Sequence, residues 1–510
     1  MLYLAIIYHM HQPYYKNLLT GEAELPWVRL HGTKDYLDMV RILDGYPKIR
    51  QTFNLVPSLL EQIEDYLNGT IKDKFLELSY KSAASLNAED RLFIRENFFS
   101  INRERVISLF PRYLELYFKN LTRKDFLAQD YLDLQVFFNL AWLDPVFRNE
   151  SAQIKKLILK GRFFTEEEKR QVCNEHLKIL GRIIPAYKKY QDSGAIEVTV
   201  SPFYHPILPL LFNTNTAKEA NPRTVLPKVK FAYPEDCREQ IAEAVKFYQE
   251  SFAKPPSGMW PSEESVSEHI LPYLIEAGLN WIVTDEAILF KSLRRKKRDT
   301  ELLYQPHLLK REGGSLNIVF RDRNLSDLIG FVYYNQKAET AVADFMRHLQ
   351  NIDRSFKGED VLVTIAMDGE NAWEYYPNDG HDFLNELYQR LSDSDFVRTT
   401  TVSDYLKTHP PKFDIKHLAT GSWIYAEFGK WIGNPDKVKA WEVLAKARKD
   451  FEEARSGLSP EKLALARKQM LILEGSDWFW WAGEDPQETF GRLFRAHLAN
   501  LYTIIGKDLS

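Results

Sequence analysis

Five short apolar, β-branched runs, each cut off by polar or acidic residues, constrain this chain most. They are "LYLAIIYHMHQ" (2–12), "AIEVTVSPFYH" (195–205), "NWIVTDE" (280–286), "LNIVFRDR" (316–323) and "VLVTIAMDGE" (361–370). A continuous apolar run suits a strand buried on both faces, as in a parallel sheet. Helical patterns lie between the runs, such as "PEDCREQIAEAVKFYQESF" (234–252) and "AETAVADFMRHLQNIDRSF" (338–356). Strand alternating with helix predicts an α/β fold, and barrels of such units gather their functional side chains where the strands end. The polar stops are therefore expected on one rim.

Two stretches break the alternation. Residues 58–190 are mostly helical and charged, as in "NAEDRLFIRENFFSINRERVISLFPRYLELYF" (87–118), and read as an insertion between early strands. Beyond residue 410 strand signals fade, and helices are expected over 434–457, 459–476 and 488–506. The first opens on Asn-Pro and the second on Ser-Pro-Glu, both helix-start patterns. We therefore expect a catalytic barrel domain over 1–405, with a helical insertion near 58–190, and a C-terminal helical subdomain over 406–510.

Composition narrows the partners. Lys and Arg number 67 against 71 Asp and Glu, and the one basic run, 291–301, reads as a solvated loop, so nucleic acid is not implied. No stretch approaches the about 18 apolar residues that cross a membrane. Two cysteines, Cys173 and Cys237, make neither a disulfide framework nor a thiolate zinc site, and fit a reducing cytoplasm. The N-terminus lacks a basic leader and a cleavage site, and reads as a first core strand. With 11 Trp and 13% aromatic residues, part of the ring surface should line a binding site.

The acids come first among candidates for chemistry. Glu263 and Glu264 follow a Trp and a Pro in "SGMWPSEESVS" (257–267), and Asp368 and Glu370 end a strand in "AMDGENAWE" (366–374). Two carboxyl groups facing each other across a glycosidic bond can serve as nucleophile and general acid. Neighbouring rings suit sugars, whose C–H faces pack on aromatic surfaces. A strand-end Asp also serves as a helix cap or salt-bridge partner. His9 and His11 stand two apart at a strand end and share a face. That spacing leaves three readings: a clamp on sugar hydroxyls, a metal site completed by Asp368 or Asp285, or rim histidines with their bonds satisfied.

"HMHQP" (9–13), "AIEVTVSPFYHPILPLL" (195–211), "GMWPSE" (258–263) and "MDGENAWE" (367–374) resemble, in this order, motifs of glycoside hydrolase family 57. The resemblance is strongest to its α-amylase and amylopullulanase branch. "DLQVFFNLAWLDPVF" (133–147), "FRDRNLSDLIGF" (320–331) and "GSDWFWWAGEDP" (475–486) also look like that branch, so the similarity covers nearly the whole chain.

The resemblance implies an incomplete parallel (β/α)7-type barrel followed by helices. It implies a retaining enzyme on α-1,4-glucans and, in amylopullulanase fashion, α-1,6 bonds. By resemblance Glu263 is the nucleophile and Asp368 the general acid–base, with the role of Glu264 open. His9, His11, His205 and Asp285 are expected to hydrogen-bond the sugar at the cleavage point. Trp260, Trp423 and Trp478 are candidate sugar platforms, with core or interface packing the alternative for the last two. No metal or other cofactor is expected in the chemistry. A 4-α-glucanotransferase or branching enzyme would use the same acids. A metal-dependent deacetylase or α-mannosidase, built on His9, His11 and an Asp, is the more distant alternative.

Overall fold

The computed structural model describes residues 1–370 and 372–508. Seven parallel strands form its centre: Leu2–Met10 (β1), Gln51–Leu55 (β2), Ile196–Thr199 (β3), Gly258–Met259 (β4), Trp281–Asp285 (β5), Gly314–Arg321 (β6) and Val361–Asp368 (β7). They run β3-β2-β1-β7-β6-β5-β4, and one parallel bridge, Val200 to Met259, links the two ends. The β6–β7 seam is also thin, with Thr364 against Arg321 as its only ladder pair among the described residues. The result is the nearly closed seven-stranded barrel that the family resemblance implies.

Strand alternation divides the core in two. Leu4, Ile6, Tyr8 and Met10 of β1 face outward into the layer packed by helices, while Ala5 and Ile7 face inward. The interior is filled by Trp281, Val283, Val319, Leu362 and Ala366. Burial of Val283, Val319 or Leu362 contributes about 1.5–3 kcal/mol each. A packed interior leaves room for a cavity only at the barrel mouth.

The insertion is helical from Pro57–Leu67 to Ile183–Asp192. Its helices carry local start and stop signals. Asn87 and Thr165 each make a reciprocal capping box with the acid three residues on, and Gly161 ends a helix in the left-handed region. The long C-terminal helices are Pro435–Ala454, Pro460–Leu473 and Thr489–Ile505. The side chains of Asn434 and Ser459 cap the first two, each with Pro at the next position. Among the described residues no helix is long and apolar enough to cross a membrane. The basic run is exposed at its centre, but its ends are engaged. Lys291 donates to three backbone carbonyls, and Arg298 pairs with Glu286 and Asp322.

Candidate active site

Strand register sets the floor of the mouth. His9, near the end of β1, lies opposite Asp368 of β7 on one side and Asn54 of β2 on the other. Parallel pairing thus brings an acid, an imidazole and an amide to one height from three distant segments. After Asp368 the chain crosses close over β1, where the Gly369 amide donates to the His9 carbonyl at 2.8 Å. A Cβ on Gly369 would stand 2.4 Å from Met10 Sδ and 3.2 Å from Tyr8 Cβ, so a larger residue here would have to displace the Met10 side chain. Glu370 then anchors the turn. Its Oε1 accepts from the His11 amide at 3.1 Å, Gln12 Nε2 at 3.4 Å and the Tyr36 hydroxyl at 3.3 Å. Trp373 closes the turn by donating to the Gly369 carbonyl at 2.8 Å. The Asp-Gly-Glu stop of β7 therefore supplies a rim acid, a close crossing and an anchor.

The second acid sits on strained backbone. Beyond β4, Glu263 has φ 57° and Glu264 φ 52°, two successive non-glycine residues in the left-handed region. Such positions cost about 1–3 kcal/mol each and persist where surrounding structure enforces them. Here the Val266 amide donates to Gly421, Gly421 donates back, and the Trp423 amide donates to the Glu263 carbonyl at 3.2 Å. Trp423 Nε1 also donates to Glu263 Oε2 at 2.8 Å. Burial, then the charges of Asp368 and Asp477, push the Glu263 carboxyl up to about 8, with the Trp423 bond opposing them. Glu264 does not line the cavity. It is fully buried, its oxygens have no hydrogen-bond partner among the described residues, and burial raises its carboxyl well above the ordinary range.

Three imidazoles stack beside the acids. Ring centroids are 4.0 Å apart for His11 and His205 and 5.0 Å for His9 and His205, and His9 stacks on Trp260 at 4.9 Å. Each ring is held by a different segment. His9 Nδ1 donates to Asn54 Oδ1 at 2.6 Å, and His11 Nε2 to Asp477 Oδ1 at 3.0 Å. His205 Nδ1 lies 3.0 Å from Ser476 Oγ and 4.0 Å from Glu263 Oε1. Burial, and then the charge His11 can carry, lowers His9 to about 3 and His205 well below the usual range. Both are neutral near neutral pH. The 475–477 turn docks directly on His205: the Ser476 amide donates to its carbonyl at 3.0 Å, and a Cβ on Gly475 would come within 3.0 Å of the Tyr204 carbonyl oxygen.

The cavity at this mouth has a volume of about 710 Å³ and is lined by His9, His11, Trp260, Glu263, Asp368 and Trp423. With Glu370, which also lines it, seven of the side chains singled out in the sequence therefore meet in one place. His205 packs behind His11 and does not itself line the cavity. Asp285 and Trp478 also lie away from it. Asp285, expected to reach the sugar, is fully buried. It pairs with Arg323 and, at 3.5 Å, with Arg321, and caps the next helix through the Ala287 amide. Trp478 donates to the Ile472 carbonyl at 2.8 Å and packs against His497, the core alternative of the two readings.

Other lining residues were not singled out one by one in the sequence. Asp477 lies in the "GSDWFWWAGEDP" stretch, but only folding sets it against His11. Trp27, His31 and Trp142 line the cavity from the first connection and the insertion, and Trp480, Trp481 and Phe490 from the C-terminal helices. The density of rings over 478–481 was the available clue to the last group. Among the described residues, the side chains that converge closely enough to hold a metal ion are Asp38, Asp144 and His381, which do not line this cavity.

Comparison with known proteins places this geometry. A family model described as glycosyl hydrolase family 57 matches residues 5–416. Alpha-amylase 1 of Dictyoglomus thermophilum is 24% identical over 265 residues, 51% of this chain and 33% of that protein. The chain thus spans about a third of that relative's length. In fold, the chain is similar to a branching enzyme of Thermococcus kodakaraensis, with a TM-score of 0.66 and 17% identity over 98% of this chain and 90% of that one. It is also similar to a 4-alpha-glucanotransferase of Thermococcus litoralis, with a TM-score of 0.55 and 14% identity over 98% of this chain and 60% of that one. The family match starts within β1, extends past the loop after β7, and includes both rim acids, so the chain belongs to glycosyl hydrolase family 57.

Proposed function

We propose that this chain cleaves α-1,4-glucans with retention, by double displacement, with Glu263 as nucleophile and Asp368 as general acid–base. One observation carries the reading: Glu263, on left-handed backbone and gripped by Trp423, shares with Asp368 a cavity walled by Trp27, Trp142, Trp480 and Trp481. Aromatic walls suit sugar rings, and two acids at one mouth suit the exchange of a leaving alkoxide for a carboxylate.

The charge of Asp368 helps raise Glu263, so the pair favours a single shared proton. Glu263, raised to about 8, holds that proton in the free site near neutral pH. In the reactive form the proton sits on Asp368, and ionised Glu263 attacks the anomeric carbon as the bond to the glycosidic oxygen breaks and Asp368 protonates the departing sugar. A β-linked glycosyl-enzyme forms. Asp368, now ionised, takes a proton from water, whose oxygen displaces Glu263 and restores the α configuration. His9 keeps its proton on Nδ1, toward the Asn54 oxygen, which leaves Nε2 as an acceptor for a sugar hydroxyl.

The same first half serves transfer to a sugar acceptor. Trp27, Trp142 and Phe490, which line the same cavity, favour this as a second reading because they offer a second sugar a surface. Incubation with maltoheptaose, and separately with pullulan, followed by chromatography of the products, tests both. Shorter sugars alone indicate hydrolysis, longer ones transfer, and pullulan breakdown α-1,6 cleavage. Unchanged maltoheptaose and pullulan would overturn the glucan reading. The buried free thiols of Cys173 and Cys237 support action in a reducing cytoplasm.

A further inference from the structure

Behind the aromatic wall, Asp38, Asp144 and His381 each offer a donor atom, and all three donors lie within 4.8 Å of one another. All three residues are buried. They come from three segments: Asp38 from the helix Leu37–Arg41, Asp144 from the cap of Pro145–Glu150, and His381 from the start of His381–Asp393. Asp144 is half satisfied, its Oδ1 accepting from the Val146 amide at 2.7 Å and its Oδ2 from His381 Nε2 at 2.8 Å. Asp38 Oδ1 is buried with no hydrogen-bond partner among the described residues. A buried carboxylate oxygen without a donor is a costly arrangement for the protein alone.

The surrounding charges sharpen the point. Lys34 pairs with Asp35 at 3.0 Å and Asp379 at 2.9 Å, and Arg148 reaches Asp379 at 3.7 Å. His31 Nδ1 lies 2.6 Å from Asp35. Both permanent cations are therefore taken by Asp35 and Asp379. Asp38 and Asp144 are left with one imidazole between them. Burial and the neighbouring Asp144 and Asp35 push the Asp38 carboxyl up, and against burial Asp144 raises the His381 imidazole, so the cluster holds protons that a divalent cation would displace.

We propose that Asp38, Asp144 and His381 form a binding site for a divalent transition-type cation, of the Mn²⁺ or Zn²⁺ kind. One imidazole nitrogen with two carboxylate oxygens suits such ions, whereas Ca²⁺ takes six to eight oxygens. An ion bound at about 2.0–2.2 Å holds its ligands roughly 3–3.6 Å apart, so rotation of the Asp38 and Asp144 carboxyl groups completes the site. On binding, the proton between His381 Nε2 and Asp144 passes to solvent and the nitrogen lone pair turns to the metal. The site's place gives it a role. Asp144 follows Trp142 by two residues, Asp38 extends the helical run that begins before His31, and His381 follows the turn bearing Glu374. Trp142, His31 and Glu374 all line the cavity. The ion would clamp that wall and take no part in bond cleavage.

The full chain, stripped with a chelator and dialysed, is titrated calorimetrically with MnCl₂, ZnCl₂ and CaCl₂. Thermal unfolding is followed alongside. We expect about one equivalent of Mn²⁺ or Zn²⁺, weaker Ca²⁺ binding, proton release and a raised Tm. Asp38→Asn and His381→Gln should each weaken binding by at least about tenfold with an unchanged circular dichroism spectrum. Should a variant fail to fold, the visible spectrum of the Co²⁺-loaded wild type decides: bands of a nitrogen- and oxygen-ligated ion support the site. No metal uptake by stripped wild type, a featureless cobalt spectrum, or variants binding as wild type would each overturn the proposal. None of these readouts depends on glucan cleavage.

Discussion

Trp423 Nε1 donates to Glu263 Oε2 at 2.8 Å while the Trp423 amide donates to the Glu263 carbonyl at 3.2 Å, so one residue holds both the carboxylate and its strained backbone. The bond favours the ionised carboxylate, against burial and two neighbouring acids. Trp423→Phe keeps the ring and removes the donor. The Glu263 carboxyl should then rise above its present value of about 8. A lost hydrogen bond to a charged group is worth about 1.5–3 kcal/mol, so kcat/KM near pH 7 should fall by at least about tenfold. The pH–rate profile should move to higher pH. A profile superimposable on that of wild type would remove this bond from the account.

Asp477→Asn should move the same profile the other way. Asp477 is a negative charge that raises Glu263, and its removal lets that carboxyl ionise at lower pH. Asparagine can still accept from His11, so the imidazole keeps its place. Opposite shifts in the two variants identify Glu263 as the group reporting in the profile. Shifts of the same sign would show that another group controls it.

Glu263→Gln should abolish cleavage and stabilise the protein at alkaline pH. Loss of a covalent catalyst corresponds to about 10³-fold or more, some 4 kcal/mol of transition-state stabilisation. The stability effect follows from linkage. In the folded chain the Glu263 carboxyl is raised from 4.5 to about 8, so the native state holds more protons than the unfolded one between those values. Its contribution is complete below about 4.5 and is lost as pH rises through about 8. Glutamine has no charge to bury. Tm values measured at pH 5 and pH 8.5 should show the variant gaining on wild type at the higher pH. A difference independent of pH would mean that Glu263 titrates alike in both states.

The barrel was legible where burial and polarity agree. β1, β3, β5, β6 and β7 announce themselves as apolar runs that end in polar residues. β2 does not, because Gln51, Thr52 and Asn54 are polar yet fully buried, and the bonds of Asn54 to His9, Thr199 and Ser201 form only on folding. β4 is two residues long and leaves no period to read. The site divides the same way. The strand-end rule placed His9 and Asp368 correctly on the rim, but it also offered Asp285. Register pairs Asp285 with Arg321 of β6, and that partner, with Arg323, takes its charge. Nothing in "WIVTDE" could show an arginine arriving from the next barrel strand. Asp477, Trp27 and Trp142 line the cavity from the C-terminal helices, the first connection and the insertion, so their convergence belongs to tertiary packing alone.

Asp368→Asn should separate the two acids by the configuration of a trapped product. A general acid matters most when the leaving group is poor. An aryl α-glucoside leaves without much protonation, so its first step should survive in the variant. That step puts Glu263 on the β face of the anomeric carbon. The second step then stalls, because no carboxylate remains to deprotonate water. Azide is already an anion and needs no base. It can enter only from the face opposite the Glu263 ester, which is the α face, so two inversions give an α-glycosyl azide. In Glu263→Gln no ester forms, and azide can displace the aryl group only once, from the β face. That variant should therefore give the β-glycosyl azide, which requires Asp368 to be intact only for a poor leaving group. Chromatography and the anomeric coupling in proton NMR distinguish the two azides. A β-azide from Asp368→Asn would mean that the roles of the acids are exchanged or that cleavage proceeds by a single displacement.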